Sequence, residues 1–273
     1  MGMRLTGFSL RRLFGDWRFL LAFILLFFLC WWELAGGMRT TISFGAFMRA
    51  HSFVSADSLG QSLGLTGSYD TAEAMWEAFV NDPEIAQYYY LCALCNTSLA
   101  PFIANVLLSV WIIGYGIRKR AASEMLLRGG SRRAVFLQLL LPYLFCALLV
   151  RWGVAFGCFM SFPIRWEYIP PEYRRQTVSL WLLITAEDVC LSAFIAFAVG
   201  PFAAIGLNLC RMLEVLLPAA VRRALPFMAA GAKDLFKPEN APAALYPAAA
   251  VAAAVTAASL LGSWLVFRKK DLK

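Results

Sequence analysis

The sequence predicts an all-α fold: a polytopic membrane protein of six transmembrane helices with an N-terminal amphipathic helix lying in the interface. Three observations predict it. Apolar and aromatic residues make up 60% of the 273 residues and charged residues 15%, against ~25% charged in soluble domains. The apolar residues gather into long runs, and a bilayer-spanning helix needs ~20 of them. The net charge of +8 comes from Lys and Arg clustered at the ends of those runs, as in the cytoplasmic loops of membrane proteins. No basic stripe with interleaved aromatics points to nucleic acid as a partner. The chain, 1–273, reads as a single transmembrane domain.

Residues 1–18 form the expected interfacial helix. Arg4, Arg11, Arg12 and Arg18 alternate with Leu5, Phe8, Leu10, Leu13, Phe14 and Trp17 at roughly helical spacing, which suits a helix lying at headgroup depth. The first span is expected at 19–37. Its apolar run is longer than the 7–15 residues usual in a signal peptide, and no clean cleavage site follows. Residues 38–95 carry Asp57, Asp70, Glu73, Glu77, Asp82 and Glu84 against Arg39 and Arg49, so this region belongs outside. Within it Asp70 with Glu73 reads as a helix start, and Asn81-Asp82-Pro83 as a second, with Pro83 at the first helical position.

The second span is expected at 96–117. The loop 118–133 holds Arg118, Lys119, Arg120, Arg128, Arg132 and Arg133 against Glu124, and belongs in the cytoplasm. A third span, 134–160, leads to a turn over Ser161–Gln176, marked by Pro163, Pro170 and Pro171 among aromatics. The fourth span, 177–199, ends where Gly200-Pro201 breaks the apolar run, because proline cannot donate a helical hydrogen bond. The fifth is expected at 202–221 and the sixth at 241–267. A single kinked helix across Gly200-Pro201 would give five spans and an outer C-terminus. The basic ending Arg268-Lys269-Lys270 favours six, with both termini inside.

Candidate chemistry is sparse. There is no phosphate-cradling P-loop, no G-x-S-x-G and no H-E-x-x-H. His51 is the single histidine, which argues against a serine–histidine triad or a zinc protease. Cys92 and Cys95 are a lone C-x-x-C, short of the four ligands of a structural zinc site; they read as packing residues one turn apart or as a redox pair. Cys30, Cys146, Cys158, Cys190 and Cys210 sit in apolar runs as small hydrophobes. No catalytic, cofactor-binding or metal-ligating residue is assigned. Glu187 and Asp188 lie near the middle of span four, where acidic residues are costly and functional candidates by default. Arg151 on span three is their natural partner. The group is either a structural ion pair or a substrate or proton path. In the loop, 118–128 is good helix sequence, Gly129-Gly130 ends it, and Ser131 can cap the next helix. It is an ordinary basic loop, or an amphipathic element able to dock in a partner's groove.

The segment Glu124-Met125-Leu126-Leu127-Arg128-Gly129-Gly130-Ser131-Arg132-Arg133-Ala134-Val135 resembles the loop after the second helix of ABC-2-type transporter permeases, where a pattern close to L-L-x-x-G-x-S-R-x-x-I is common. The basic entry before span one, the large outer region and the ending Phe267-Arg268-Lys269-Lys270-Asp271-Leu272 are also similar to that family. The family's Gly-Thr pair upstream of L-L is missing, with Arg120-Ala121 near that place, and its lysine after the S-R motif is replaced around Gln138-Leu139. The resemblance implies a non-catalytic membrane subunit in the cell (inner) membrane, an exporter by preference. It would pair with a second permease copy or a related permease and with an ABC ATPase subunit that carries ATP and Mg. Glu124, Met125, Leu126, Leu127 and Arg128 would then couple to the ATPase, with Gly129 and Ser131 setting loop geometry. Two other expectations stay open: a proton-coupled secondary transporter using Arg151, Glu187 and Asp188, and an intramembrane enzyme using the same carboxylates.

Overall fold

A computed structural model of the chain describes residues 11, 13–40, 55–62, 65–85, 99–118, 121–127, 130–161, 167, 169, 171–212 and 245–270. Every regular element among them is helical. Among the described residues, five stretches are long and apolar enough to cross a membrane, so the chain is a multi-pass membrane protein.

The first of these stretches is α1 (Trp17–Thr40). A helical turn at 13–15 precedes it, and Asp16 interrupts the two. The Asp16 carboxylate then accepts from the Arg18 amide at 3.0 Å, as an N-cap does. Leu13 and Phe14 pack on the bundle core, while Trp17 is 68% exposed. The rest of the expected interfacial helix, residues 1–10 and Arg12, lies outside the described residues.

Two short helices follow, α2 (Ala56–Ser62) and α3 (Ala72–Asn81). Leu59, Leu65, Met75 and Phe79 form a satellite core between them. The start of α3 differs from the Asp70 expectation. Thr71 takes the extended cap conformation, and its hydroxyl accepts from the Ala74 amide at 3.2 Å. The second expected start is present: the Asp82 carboxylate accepts from the amides of Glu84 and Ile85, both at 3.1 Å, beside Pro83.

The second apolar stretch is α4 (Leu99–Ser109), a π-helical segment (Val110–Gly114) and α5 (Tyr115–Arg118). The small helix α6 (Ala121–Leu127) comes next, then α7 (Arg132–Ser161), which carries Pro142 inside it. The helix α8 spans Pro171–Val199. It starts at Pro171 rather than near Thr177, because a proline whose missing N–H is not needed suits the first helical position. Residues 171–176, expected in the turn, are therefore helix. Gly200 has φ +92°, a left-handed conformation that glycine adopts without steric cost. It reverses the chain into α9 (Pro201–Met212). The remainder of the expected fifth span, 213–221, lies outside the described residues. Finally α10 covers Leu245–Lys269.

The directions of the helices follow from contacts between their ends. The start of α1 meets the end of the second stretch through Phe19 and Trp111. The start of α7 meets the ends of α8 and α10 through Phe136, Phe197 and Phe267. So α8 and α10 run parallel, with Phe194 against Gly262 about one turn before that end. From Gly200, α9 folds back along α8, so that Arg211 reaches Asp188 and Asn208 reaches Ser192. Exposed apolar residues line α1, among them Leu21, Ile24, Leu25, Phe28 and Trp32. The core lies where α1, α4, α7, α8 and the end of α10 converge.

Candidate functional site

A bilayer interior has a low dielectric and no water to satisfy polar groups, so side chains that must be polar there gather. Four helices of this bundle bring such groups together. Asp188 on α8 accepts from Arg151 Nη2 on α7 at 2.6 Å and from Arg211 Nη2 on α9 at 3.0 Å. The three side chains are 3%, 4% and 12% exposed in that order. With its amide oxygen toward α7, Asn105 on α4 accepts from Nε and Nη2 of Arg151, both at 3.1 Å. Glu187, also buried, sits beside Asp188. Asp188 thus binds one buried and one partly buried guanidinium group.

Around the ion pairs the chain adds further polar contacts. Asn208 Oδ1 accepts from Arg211 Nη1 at 3.1 Å and from Ser192 Oγ at 3.3 Å. The Arg211 guanidinium lies over the Phe102 ring at 5.1 Å, a cation–π contact. Trp152 Nε1 donates to Thr185 Oγ1 at 3.0 Å, and the Tyr143 hydroxyl to the Val189 carbonyl at 2.9 Å. The spacing on α8 explains the convergence. Thr185, Asp188 and Ser192 recur three and four residues apart, the interval that places side chains on one helix face.

Sequence reasoning placed Arg151, Glu187 and Asp188 together, and the structure puts Arg151 on Asp188. It did not find Arg211 or Asn105. Their legible signal was a polar side chain within a mostly apolar helix. Glu33 was missed too. Near the end of α1, its carboxylate accepts from the first amides of α4, at 2.9 Å from Leu99 and more closely from Ala100. A carboxylate is favourable there because the unsatisfied N–H groups of a helix N-terminus carry partial positive charge.

The other candidate lies at the bundle end that holds α6, Gly200 and the close of α10. The Gly130 amide donates to the Met125 carbonyl at 3.1 Å and closes α6. A Cβ on Gly130 would stand 2.7 Å from that carbonyl oxygen, which accounts for the glycine. Ser131 Oγ accepts from the Ala134 amide at 3.2 Å and caps α7. On α6, Ala122 is buried and Met125 and Leu126 pack against the bundle core. Leu127 is 86% exposed and Glu124 is also exposed. Of the three apolar candidates, Met125 and Leu126 are half-buried against the bundle and Leu127 is the exposed one. The helix is amphipathic, and its apolar side is already used to hold it on the bundle. Arg128 and Gly129 lie outside the described residues, as do His51, Cys92 and Cys95.

Comparison with family models, curated proteins and solved structures finds no match.

The end of α10 is fastened to the same bundle end. Arg132 Nη1 donates to the carbonyls of Arg268 at 2.6 Å and Lys270 at 3.2 Å. Lys270 Nζ donates to the Phe197 carbonyl at 3.0 Å, a cation at the negative end of α8. Partial burial holds the Lys270 amine below the usual lysine range. Of the cysteines, Cys30, Cys146, Cys158 and Cys190 are buried free thiols, and Cys210 is exposed.

Proposed function

We propose that this chain is the permease subunit of an ATP-binding-cassette transporter, an exporter, and that its ATPase is a separate chain. The observation that supports this reading is α6. It is a short helix fixed to the bundle by Ala122, Met125 and Leu126, and it presents Leu127 and Glu124 outward. A helix held firmly on one side and open on the other can receive force from a partner. Six positive charges flank it in 118–133, which supports a cytoplasmic placement. In this reading α9 begins a sixth crossing, both termini are cytoplasmic, and a second permease copy or relative completes the pathway. ATP and Mg act on the partner, and this chain contributes no catalytic residue.

Truncating an interface anchor often costs ≥ ~2 kcal/mol, roughly a 30-fold loss of affinity. Leu127→Asp combined with Glu124→Lys changes outward side chains and leaves the core-facing ones intact. The variant is expected to express and purify normally and to lose co-purification of a P-loop ATPase from native membranes. Undiminished ATPase recovery would sink the coupling role.

A second reading, a proton-coupled secondary transporter, is favoured by the buried charges Arg151, Glu187, Asp188 and Arg211. It requires transport that survives ATP depletion and collapses with the proton gradient.

A further inference from the structure

The helix α9 is joined to the bundle in an uneven way. At its start, the joint is a single residue, Gly200 at φ +92°, and nothing lies within 4 Å of where a Cβ on Gly200 would be. Next to this joint, Gly114 of the π-helical segment lies so close that its Cβ would stand 2.8 Å from Pro201 Cβ and 3.2 Å from Pro201 Cα. π-Helical turns often occur at functional positions. Here one places a backbone against the base of α9. Toward its far end, α9 is held by polar contacts: Arg211 to Asp188 and Asn208 to Ser192. Phe202, Leu207, Leu209 and Cys210 on this helix are exposed among the described residues.

The two arms match in length. Eleven positions separate Asp188 from Val199 and ten separate Arg211 from Pro201, so both charges stand about 15–17 Å along the helix from the turn. Ser192 and Asn208 form a rung seven positions from each arm's base. On the described length of α9, the contact to Asp188 is one guanidinium, and that guanidinium is the more exposed of the two on Asp188. If it lets go, Asp188 keeps Arg151 at 2.6 Å. The carboxylate is not orphaned, which avoids the cost of an uncompensated buried charge. Arg211 has a stem long enough to carry its charge toward a wetter depth.

We infer that α9 is a hinged intramembrane arm, turning on Gly200 against the Gly114–Pro201 contact and latched by Arg211 on Asp188. Its release uncovers the Asn105–Arg151–Asp188 cluster from the α9 side. The inference stands on helix packing and does not require an ATPase partner.

The test is a distance measurement on the full chain in lipid nanodiscs. Spin labels go on Gly206→Cys in α9 and Phe156→Cys in α7, both exposed positions, with Cys92, Cys95 and Cys210 replaced by Ser. The parent is expected to give one narrow distance population. Arg211→Gln is expected to add a second, longer population. Asn208→Ala, which removes the amide rung but keeps the charge pair, is expected to stay narrow. An unchanged single distance in Arg211→Gln overturns the latch. So does a second population of equal size in Asn208→Ala, since general packing would then hold the arm. Should Arg211→Gln not purify as folded protein, Arg211→Lys is measured instead. Its ammonium lacks the fork that reaches Asp188 and Asn208 together, and a single unchanged distance there overturns the proposal.

Discussion

Asp188 accepts from guanidinium groups on two other helices, while Arg151 and Arg211 each have this one carboxylate as their ion-pair partner among the described residues. Removing a member of a buried ion pair leaves an uncompensated charge and costs about 3–5 kcal/mol. The cost depends on which member goes. Asp188→Asn strands two cations, whereas Arg211→Gln leaves Asp188 held by Arg151. Asp188→Asn is therefore expected to lose about 3–5 kcal/mol, and Arg211→Gln clearly less. Thermal unfolding in detergent, followed by size-exclusion of the surviving fraction, measures both. Equal losses would show that Asp188 is not the shared counter-ion. Part of this site was legible in the sequence, because charges inside an apolar run stand out. Its full membership was not. Arg211 lies 23 positions from Asp188, and nothing local indicates that the turn at Gly200 brings them level.

At the scale of elements, boundaries follow local chemistry where one residue decides them. Ser131, Gly130, Gly200 and Pro201 each mark an end that the sequence also marks. The sequence points to Asp70 as the start of α3, but the adjacent Thr71 is also a good cap. The backbone decides: Thr71 is extended, and its hydroxyl reaches the Ala74 amide. Thr71→Ala is expected to cost α3 about 1 kcal/mol. Hydrogen exchange over residues 72–81 should accelerate roughly fivefold, the factor that energy implies. Equal acceleration in Asp70→Ala, with none in Thr71→Ala, would return the cap to Asp70. The inward side of α6 was hidden for a different reason. An amphipathic helix shows which residues share a face, but not whether its own bundle or a partner covers that face.

For the whole molecule, the parallel course of α8 and α10 fixes which segments share an end. Leu127, Gly200 and Lys269 are at one end, and the Glu33–Leu99 contact is at the other. The charge asymmetry of 118–133 against 38–95 predicts that the first end is cytoplasmic. Single cysteines at Leu127 and Lys269 are expected to resist an impermeant thiol reagent in sealed cells and to react after permeabilisation. A cysteine at the exposed Glu77 is expected to react in both. Opposite behaviour of Leu127→Cys and Lys269→Cys would overturn the parallel arrangement of α8 and α10 and, with it, the six-crossing layout.

The sequence alone determined the membrane character, the approximate place of the apolar helices, the break at Gly200-Pro201 and the presence of charges in span four. These depend on composition, run length and nearest neighbours, which are written linearly along the chain. Tertiary structure decided that Asp188 binds two arginines, that Glu33 caps α4, that Gly114 makes room for Pro201, and that Met125 and Leu126 turn inward. Each of these depends on the register between helices far apart in sequence. In an apolar interior that register is set by summed packing and by the need to pair every buried charge, not by any short motif.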